Sequence, residues 1–382
     1  MGRSGMRWCW PCCRFGPRQR KHLCRNGWLS NLSNLVYLDL SKNSLTGSLP
    51  SFHVCSKLES IDLLDNYLTG SLSHLDFGSL TNLSDLILDQ NLFSGSIPHH
   101  IFLLPSLSYL SLAYNEFSGE IEEFPVVNDL RELDLSNNRM KGPLPSSFFR
   151  FQNISVLSLS ENSFDGAFQL RKIQSLSKLK VLDLSNNNLS INTTISSSNS
   201  DGFPQFSMLH LASCNIYEFP YLGEQSSLVT LDLSNNHIGG DIPSWIWEAG
   251  KDYLNLSFNL LTGLEKPRFV AHVTYLDLQS NKLLHSTLLS SILTSPNVSD
   301  SVILLANNQL TGVIPTSICN CNASSLSVLD LSFNNLSGSI PPCLIEKDLV
   351  REVLNLRGNK ISGVIPDQFS RLTGDECWKQ QP

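Results

Sequence analysis

LSVLDLSFNNLSGSIP, residues 326–341, decides the fold. Its skeleton is L-x-x-L-x-L-x-x-N-x-L-x-G-x-I-P. Fourteen copies fall on one frame, spaced 22 to 27 residues apart, with Asn at 43, 66, 91, 115, 138, 162, 187, 236, 259, 281, 308, 334 and 359 and Cys214 in the remaining copy. The residue three before that position is Leu in every copy, from Leu40 to Leu356. The residue two earlier still is Leu except at Ile61 and Ile303, and the residue two after the Asn is always apolar. In x-L-x-L-x the leucines point to one side of a strand and the intervening residues to the other. One such unit cannot bury its own leucines, so stability has to come from stacked neighbours.

The phrase is the signature of a leucine-rich repeat. Each repeat is expected to supply one short parallel strand, and fourteen strands spaced about 4.8 Å apart make an inner wall about 60 Å long. The Asn sits where the chain leaves the strand, so its amide is expected to bond turn backbone that has left the ladder. Gly stands four after the Asn in eleven copies and Pro follows three later in seven. The L-x-G-x-I-P tail resembles the plant extracellular type of repeat, which adds a second short strand. The expected fold is a leucine-rich-repeat solenoid of β-strand plus irregular and 3-10 segments, a curved right-handed superhelix with a parallel sheet on its concave face.

The chain has 382 residues, 41% hydrophobic and 16% charged, with formal charge −7. Length alone would suggest two or three globular domains, but internal repetition favours one elongated domain. The mild acidity argues against a nucleic-acid partner. No run of eighteen apolar residues is present, so no membrane span is expected. Residues 1–28 form a non-repeat leader with seven Arg or Lys and no acid. It lacks the apolar core of a secretory signal, and it is read as a disordered basic segment. Cys9, Cys12, Cys13, His22 and Cys24 miss the paired-hook spacing of zinc sites. The solenoid spans 29–369, with polar or irregular insertions at 190–205 and 282–300. A non-repeat tail, 370–382, follows. No polar cap is seen at either end, so the chain reads as an internal section of a larger protein or a truncated product.

No catalytic grouping appears. H-E-x-x-H, G-x-S-x-G and G-x-x-x-x-G-K are absent from the sequence. Asp76-Phe77-Gly78 lacks the partner motifs of a kinase. Neither a cofactor nor a metal site is expected, and the chain is read as a non-enzyme. The outward strand positions are free to vary because the leucines hold the scaffold. They place Asp62, Leu64, Asp65, Asp85, Ile87, Asp89, Gln90, Tyr109, Tyr114 and Glu132 on one concave patch. Acids mixed with aromatic and aliphatic groups suit a peptide or protein bearing basic and apolar groups. Joint charge reversal of Asp62, Asp85 and Asp89 is expected to abolish binding. A second, weaker patch is Tyr253, Phe258, Tyr275 and Gln279. Nine N-x-S/T sequons are glycosylation candidates: Asn31, Asn82, Asn153, Asn188, Asn192, Asn255, Asn297, Asn322 and Asn335. A glycan on Asn255 would obstruct the concavity. Cys319 and Cys343 occupy similar places in adjacent repeats and could form a disulfide or remain buried thiols. Cys55 and Cys214 are read as core.

Longer stretches carry a narrower resemblance. LASCNIYEFPYLGEQSSLVTLDLSNNHIGGDIPSWIWEAGKDYLNLSFNLLTGLEKP, residues 211–267, resembles the ectodomain of plant receptor-like proteins of the Verticillium wilt-resistance and Cf disease-resistance type. So do GVIPTSICN before Cys321 and SGSIPPCLIE through Glu346. The resemblance covers about 29–369, the repeat section only. It implies a recognition ectodomain in pathogen perception, on the outer side of the plasma membrane. Signalling would pass through a partner kinase in the full-length parent. The alternatives are a secreted inhibitor of a cell-wall-degrading enzyme, built on the same repeat, and a non-functional truncated receptor product.

Overall fold

The computed structural model describes residues 32–125, 128–194, 203–222, 225–248, 252–265, 273–284, 287–293, 301–319, 326–346 and 350–366. Fourteen parallel strands form one inner sheet, one strand per repeat and in chain order. Strands 1 to 7 are Tyr37–Asp39, Ser60–Asp62, Asp85–Ile87, Tyr109–Ser111, Glu132–Asp134, Val156–Ser158 and Val181–Asp183. Strands 8 to 14 are Met208–His210, Thr230–Asp232, Tyr253–Asn255, Tyr275–Asp277, Val302–Leu304, Leu326–Asp330 and Val350–Asn355. The central residue of each three-residue strand is the repeat Leu or Ile. Ile61, for example, pairs with Leu38 on one side and Leu86 on the other. From strand 2 to strand 13 these residues and the Leu two further on, such as Leu86 and Leu88, are buried in one continuous apolar core, against which the partly buried Leu38, Leu40, Leu354 and Leu356 pack at the two ends. The spine expected from the period-two pattern is therefore present in register.

The repeat Asn forms the second continuous feature. Asn138 donates from Nδ2 to the carbonyls of Leu112 (3.0 Å), Leu135 (3.2 Å) and Ser136 (3.1 Å). Its Oδ1 accepts the N–H of Phe117 in the preceding repeat at 3.0 Å. The same pattern recurs at Asn66, Asn91, Asn115, Asn259 and Asn281. Cys214 keeps part of it: its Sγ lies 3.4 Å from the carbonyls of Leu184 and Ala212. Cys214 is buried and free, as is Cys55.

The residue before the Asn takes a left-handed conformation in thirteen repeats, from Lys42 (φ 53°) to Phe333 (φ 52°), with Gly358 (φ 71°) in the last. Beyond the Asn, the Gly-containing tail adds a second set of parallel strands. Seven pair from Thr46–Gly47 to Asn188–Asn192, two more are Gly239–Ile242 and Leu260–Leu264, and three pair from Thr311–Val313 to Lys360–Ile361. The expected plant-type second strand is thus present, and among the described residues it is interrupted twice. Two details differ from the sequence reading. Ser190, Ile191 and Asn192 belong to a strand that pairs with Ala167, Phe168 and Gln169. The segment 282–300 holds a short helix, Thr287–Leu293, whose Leu288, Leu289 and Ile292 are buried. In both places apolar residues at the right spacing join the core, although the Gly-Pro tail is missing. The leader 1–28 and the tail 370–382 lie outside the described residues.

Candidate functional site

The strand register sorts the inner face into two rows. The leading row, just before the buried Leu, runs Tyr37, Ser60, Asp85, Tyr109, Glu132, Val156, Val181, Met208, Thr230, Tyr253, Tyr275, Val302, Val328 and Val353. The trailing row, just after it, runs Asp39, Asp62, Ile87, Ser111, Asp134, Ser158, Asp183, His210, Asp232, Asn255, Asp277, Leu304, Asp330 and Asn355. Side chains in both rows face away from the leucine core, because alternate residues of a strand share a face.

The trailing-row acids have a structural task. Asp134 Oδ1 accepts the N–H of Ser136, two residues on, at 2.9 Å. Asp39, Asp62, Asp183, Asp232, Asp277 and Asp330 do the same at 2.8–3.0 Å. Asn255 and Asn355 replace the carboxylate with an amide oxygen at 3.1 and 3.2 Å. Each bond closes a local turn where the strand ends, which is why Asp or Asn suits this place. Two repeats without an acid there borrow one acceptor from the repeat before. Ser111 is the trailing residue of strand 4, and Asp89 reaches across to accept its hydroxyl (2.6 Å) and the N–H of Ala113 (2.8 Å). His210 is the trailing residue of strand 8, and Ser185 Oγ accepts the N–H of Ala212 at 3.1 Å.

This sorting separates the residues expected to bind a ligand. Asp85, Tyr109 and Glu132 stand side by side on strands 3 to 5 of the leading row. Asp62 and Ile87 are adjacent in the trailing row. Asp65, Gln90 and Tyr114 are exposed left-handed residues along the rim, with Tyr114 56% exposed. Asp89 is different: its carboxylate is turned into the scaffold. Burial pushes it up to about 6, against the lowering effect of Ser111 and Ala113, and the charges of Asp134 and Asp62 push the same way. Burial also raises Asp62, with the charge of Asp39 adding to it. Burial raises the Tyr109 hydroxyl, followed by the nearby Asp89 and Glu132. A cation arriving at this patch would relieve that crowding of negative charge.

The second patch is organised by stacking. The Tyr253 and Tyr275 rings lie 4.7 Å apart and 8° from parallel. Burial and then Asp277 push Tyr275 up to about 12, and burial and then Asp232 raise Tyr253, so both hydroxyls stay protonated donors. Gln279 Nε2 donates to Asp277 at 3.1 Å, and Phe258 is an exposed rim residue in the left-handed region. His210 had no place in the sequence reading. Its ring lies 6.4 Å from Tyr253, its Nδ1 is 3.9 Å from Asp183 Oδ2, and its buried Nε2 has no partner. Burial alone would raise Asp183, but the nearby His210 ring and the hydrogen bond from the Ser185 N–H bring it below its ordinary value. Val156, Val181 and Met208 also went unnoticed, because an aliphatic residue beside a repeat Leu looks like more core.

The sequons fall into four groups. Asn82, Asn188, Asn192 and Asn335 are exposed. Asn153 donates to Asp129 at 2.7 Å and accepts from Lys178. Asn255 lies on inner strand 10, with its amide donating to Asp232 (3.2 Å) and accepting from Ser257. Asn31, Asn297 and Asn322 lie outside the described residues. Cys343 is buried and disulfide-bonded. The side chain of Cys319, the expected partner, lies outside the described part. Among the described residues no group of three or more metal-ligating side chains occurs, and no helix is long and apolar enough to cross a membrane.

Comparison with known proteins narrows the family. Profiles described as "Leucine rich repeat" match residues 128–189 and, separately, 34–54, 178–201, 227–249, 301–321, 325–346 and 352–372. Receptor-like protein 32 of Arabidopsis thaliana is 34% identical over 193 residues, covering 50% of this chain and 20% of that protein. Receptor-like protein 18 of the same plant is 30% identical over 316 residues, 78% of this chain and 35% of that protein. The chain thus spans between 20% and 35% of the length of these two relatives. Among solved structures, the ectodomain of the Arabidopsis thaliana membrane receptor kinase GASSHO1/SCHENGEN3, in complex with CASPARIAN STRIP INTEGRITY FACTOR 2, has a TM-score of 0.70. It is 28% identical and covers 90% of this chain and 44% of that one. The Arabidopsis receptor kinase HAESA, in complex with the peptide hormone IDA and the co-receptor SERK1, gives 0.63 at 29% identity, covering 86% of this chain and 55% of that one. The repeat section of this chain is that of a plant leucine-rich-repeat receptor-like protein.

Proposed function

We propose that the chain is a ligand-recognition section of a receptor-like protein ectodomain, non-catalytic, engaging a peptide or protein ligand on the inner face of its solenoid. The observation that carries this reading is the leading row at strands 3 to 5. There Asp85, Tyr109 and Glu132 stand in register, and the Asp85 carboxylate accepts the Ser84 hydroxyl at 2.9 Å rather than closing a backbone turn. Side chains not spent on the scaffold are the ones available to a partner. The peptide and protein ligands in the names of two structural neighbours support the same class of partner. We place the parent at the outer side of the plasma membrane, in pathogen perception, with a kinase co-receptor supplying the signal. We further assign glycosylation to Asn82, Asn188, Asn192 and Asn335, and pair Cys343 with Cys319.

The test uses the full-length parent expressed in leaf tissue and challenged with fractionated pathogen extracts. Replacing Asp85→Lys and Glu132→Lys together should abolish the response while receptor accumulation stays equal. An undiminished response at equal accumulation would remove this patch as the binding site. Asp62 and Asp89 are left unchanged, because each carboxylate holds a backbone N–H and its loss would disturb the fold.

A further inference from the structure

The leading row changes character between strands 5 and 6. Over strands 3 to 5 it carries Asp85, Tyr109 and Glu132. From Val156 on strand 6 to Val353 on strand 14 it carries no charged residue at all. The trailing-row acids continue past that boundary, but they are committed. Asp232 and Asp330 each hold a backbone N–H through Oδ1 and an Asn amide through Oδ2, the latter at 3.2 and 2.9 Å. Asp277 is only 3% exposed. A ligand cation lying over strands 6 to 11 would find no charge in the leading row and only occupied carboxylates in the trailing row. The same cation over strands 3 to 5 would meet Asp85 and Glu132.

We propose, resting on the recognition reading above, that the ligand is an extended peptide of two blocks: a cationic block over strands 3 to 5 and an apolar block over strands 6 to 11. The cationic block pairs with Asp85 and Glu132 in a region already crowded with negative charge. The apolar block lies along Val156, Val181 and Met208 and ends on the stacked Tyr253 and Tyr275 rings, whose flat faces suit a proline or aliphatic side chain. Length follows from spacing. Eight strand intervals of about 4.8 Å make a track of about 38 Å. At about 3.3 Å per residue that track accommodates about twelve residues, roughly three cationic and eight apolar with a linker. Order matters more than composition, because charge dispersed along the peptide would sit over the apolar track.

The test uses fluorescent twelve-residue peptides with the intact 382-residue chain. Two peptides carry three arginines as a block at one end or the other, joined to a valine- and proline-rich stretch. A third has the same composition with the arginines dispersed. One block order should bind at least about tenfold tighter than the dispersed peptide. Asp85→Lys with Glu132→Lys should remove that advantage and its salt dependence. Tyr253→Ala with Tyr275→Ala should weaken the block peptide about fivefold or more, leaving the salt dependence in place. Circular dichroism matching the parent confirms that each variant is folded. Equal binding of dispersed and block peptides, no binding by either block order, or indifference to the tyrosine pair would overturn the proposal. If the leaf response is lost in the Asp85/Glu132 variant while the peptides show no order preference, the recognition reading stands and only the two-block ligand falls.

Discussion

At the residue scale, the two kinds of inner-face acid behave as separate populations. Asp89 is the sharpest case. Its folded value of about 6 stands above the ordinary carboxylate value near 3.8. The folded state therefore binds a proton more readily than the unfolded chain between about pH 4 and 6. Stability contributed at this site is present below that window and falls as pH rises through it. Asp89→Asn should accordingly benefit the protein more at pH 7 than at pH 4, while an amide oxygen still accepts from Ala113. Urea unfolding at the two pH values checks the sign. Cys214 gives a second expectation. Burial, then Asp183 and Asp232, push its thiol up to about 12. Thiol reagents at pH 8 should leave Cys214 unlabelled in the native chain and label it after unfolding, read by peptide mass spectrometry. Native labelling at a free-thiol rate would mean that this repeat is open. Neither the Asp89 role nor the Cys214 contacts could be read from the sequence. Both depend on which residue of a neighbouring repeat lies alongside, about two dozen positions away.

At the element scale, one repeat is a strand, an Asn-anchored turn and a Gly-permitted second strand. The strand leucines and the Asn were legible because both have a fixed period and one consistent physical demand. The second strand was legible only in outline. Its interruption at the Cys214 repeat, and the helix at Thr287–Leu293, arise where the Gly-Pro tail is missing. Tail glycines differ in what confines them. Gly338 (φ +78°) would place a Cβ 2.8 Å from Val313 Cγ1, whereas Gly166 (φ +88°) would meet open space. Gly166→Ala should cost about 1–2 kcal/mol from the left-handed backbone alone, and Gly338→Ala should cost more. Equal losses in denaturant unfolding would show that the Val313 contact is not a constraint. The Asn turn predicts a larger effect. Asn138→Ala strands buried carbonyls and the Phe117 N–H, each costing about 1–3 kcal/mol when unpaired. An exposed Asn such as Asn335 should show no such penalty in its side chain.

At the scale of the whole molecule, the solenoid is a device for separating two jobs. The leucine spine, the Asn ladder and the trailing-row acids hold the coils. The leading row is left to vary, and it varies in an ordered way, acidic over strands 3 to 5 and uncharged from strand 6 onward. The sequence marked the inner face as the place to look, yet it mixed residues of both jobs into one patch. Charge and exposure can be guessed from residue type, whereas commitment to a backbone N–H cannot. The most direct measurement of the separation is the urea unfolding free energy of four single variants. Asp134→Ala and Asp232→Ala, in the trailing row, should each lose about 1–3 kcal/mol by stranding the N–H groups of buried Ser136 and Ser234. Asp85→Ala and Glu132→Ala, in the leading row, should stay within about 0.5 kcal/mol of the parent. Equal losses in the two rows, or greater losses in the leading row, would contradict the division between residues that hold the fold and residues proposed to meet a ligand.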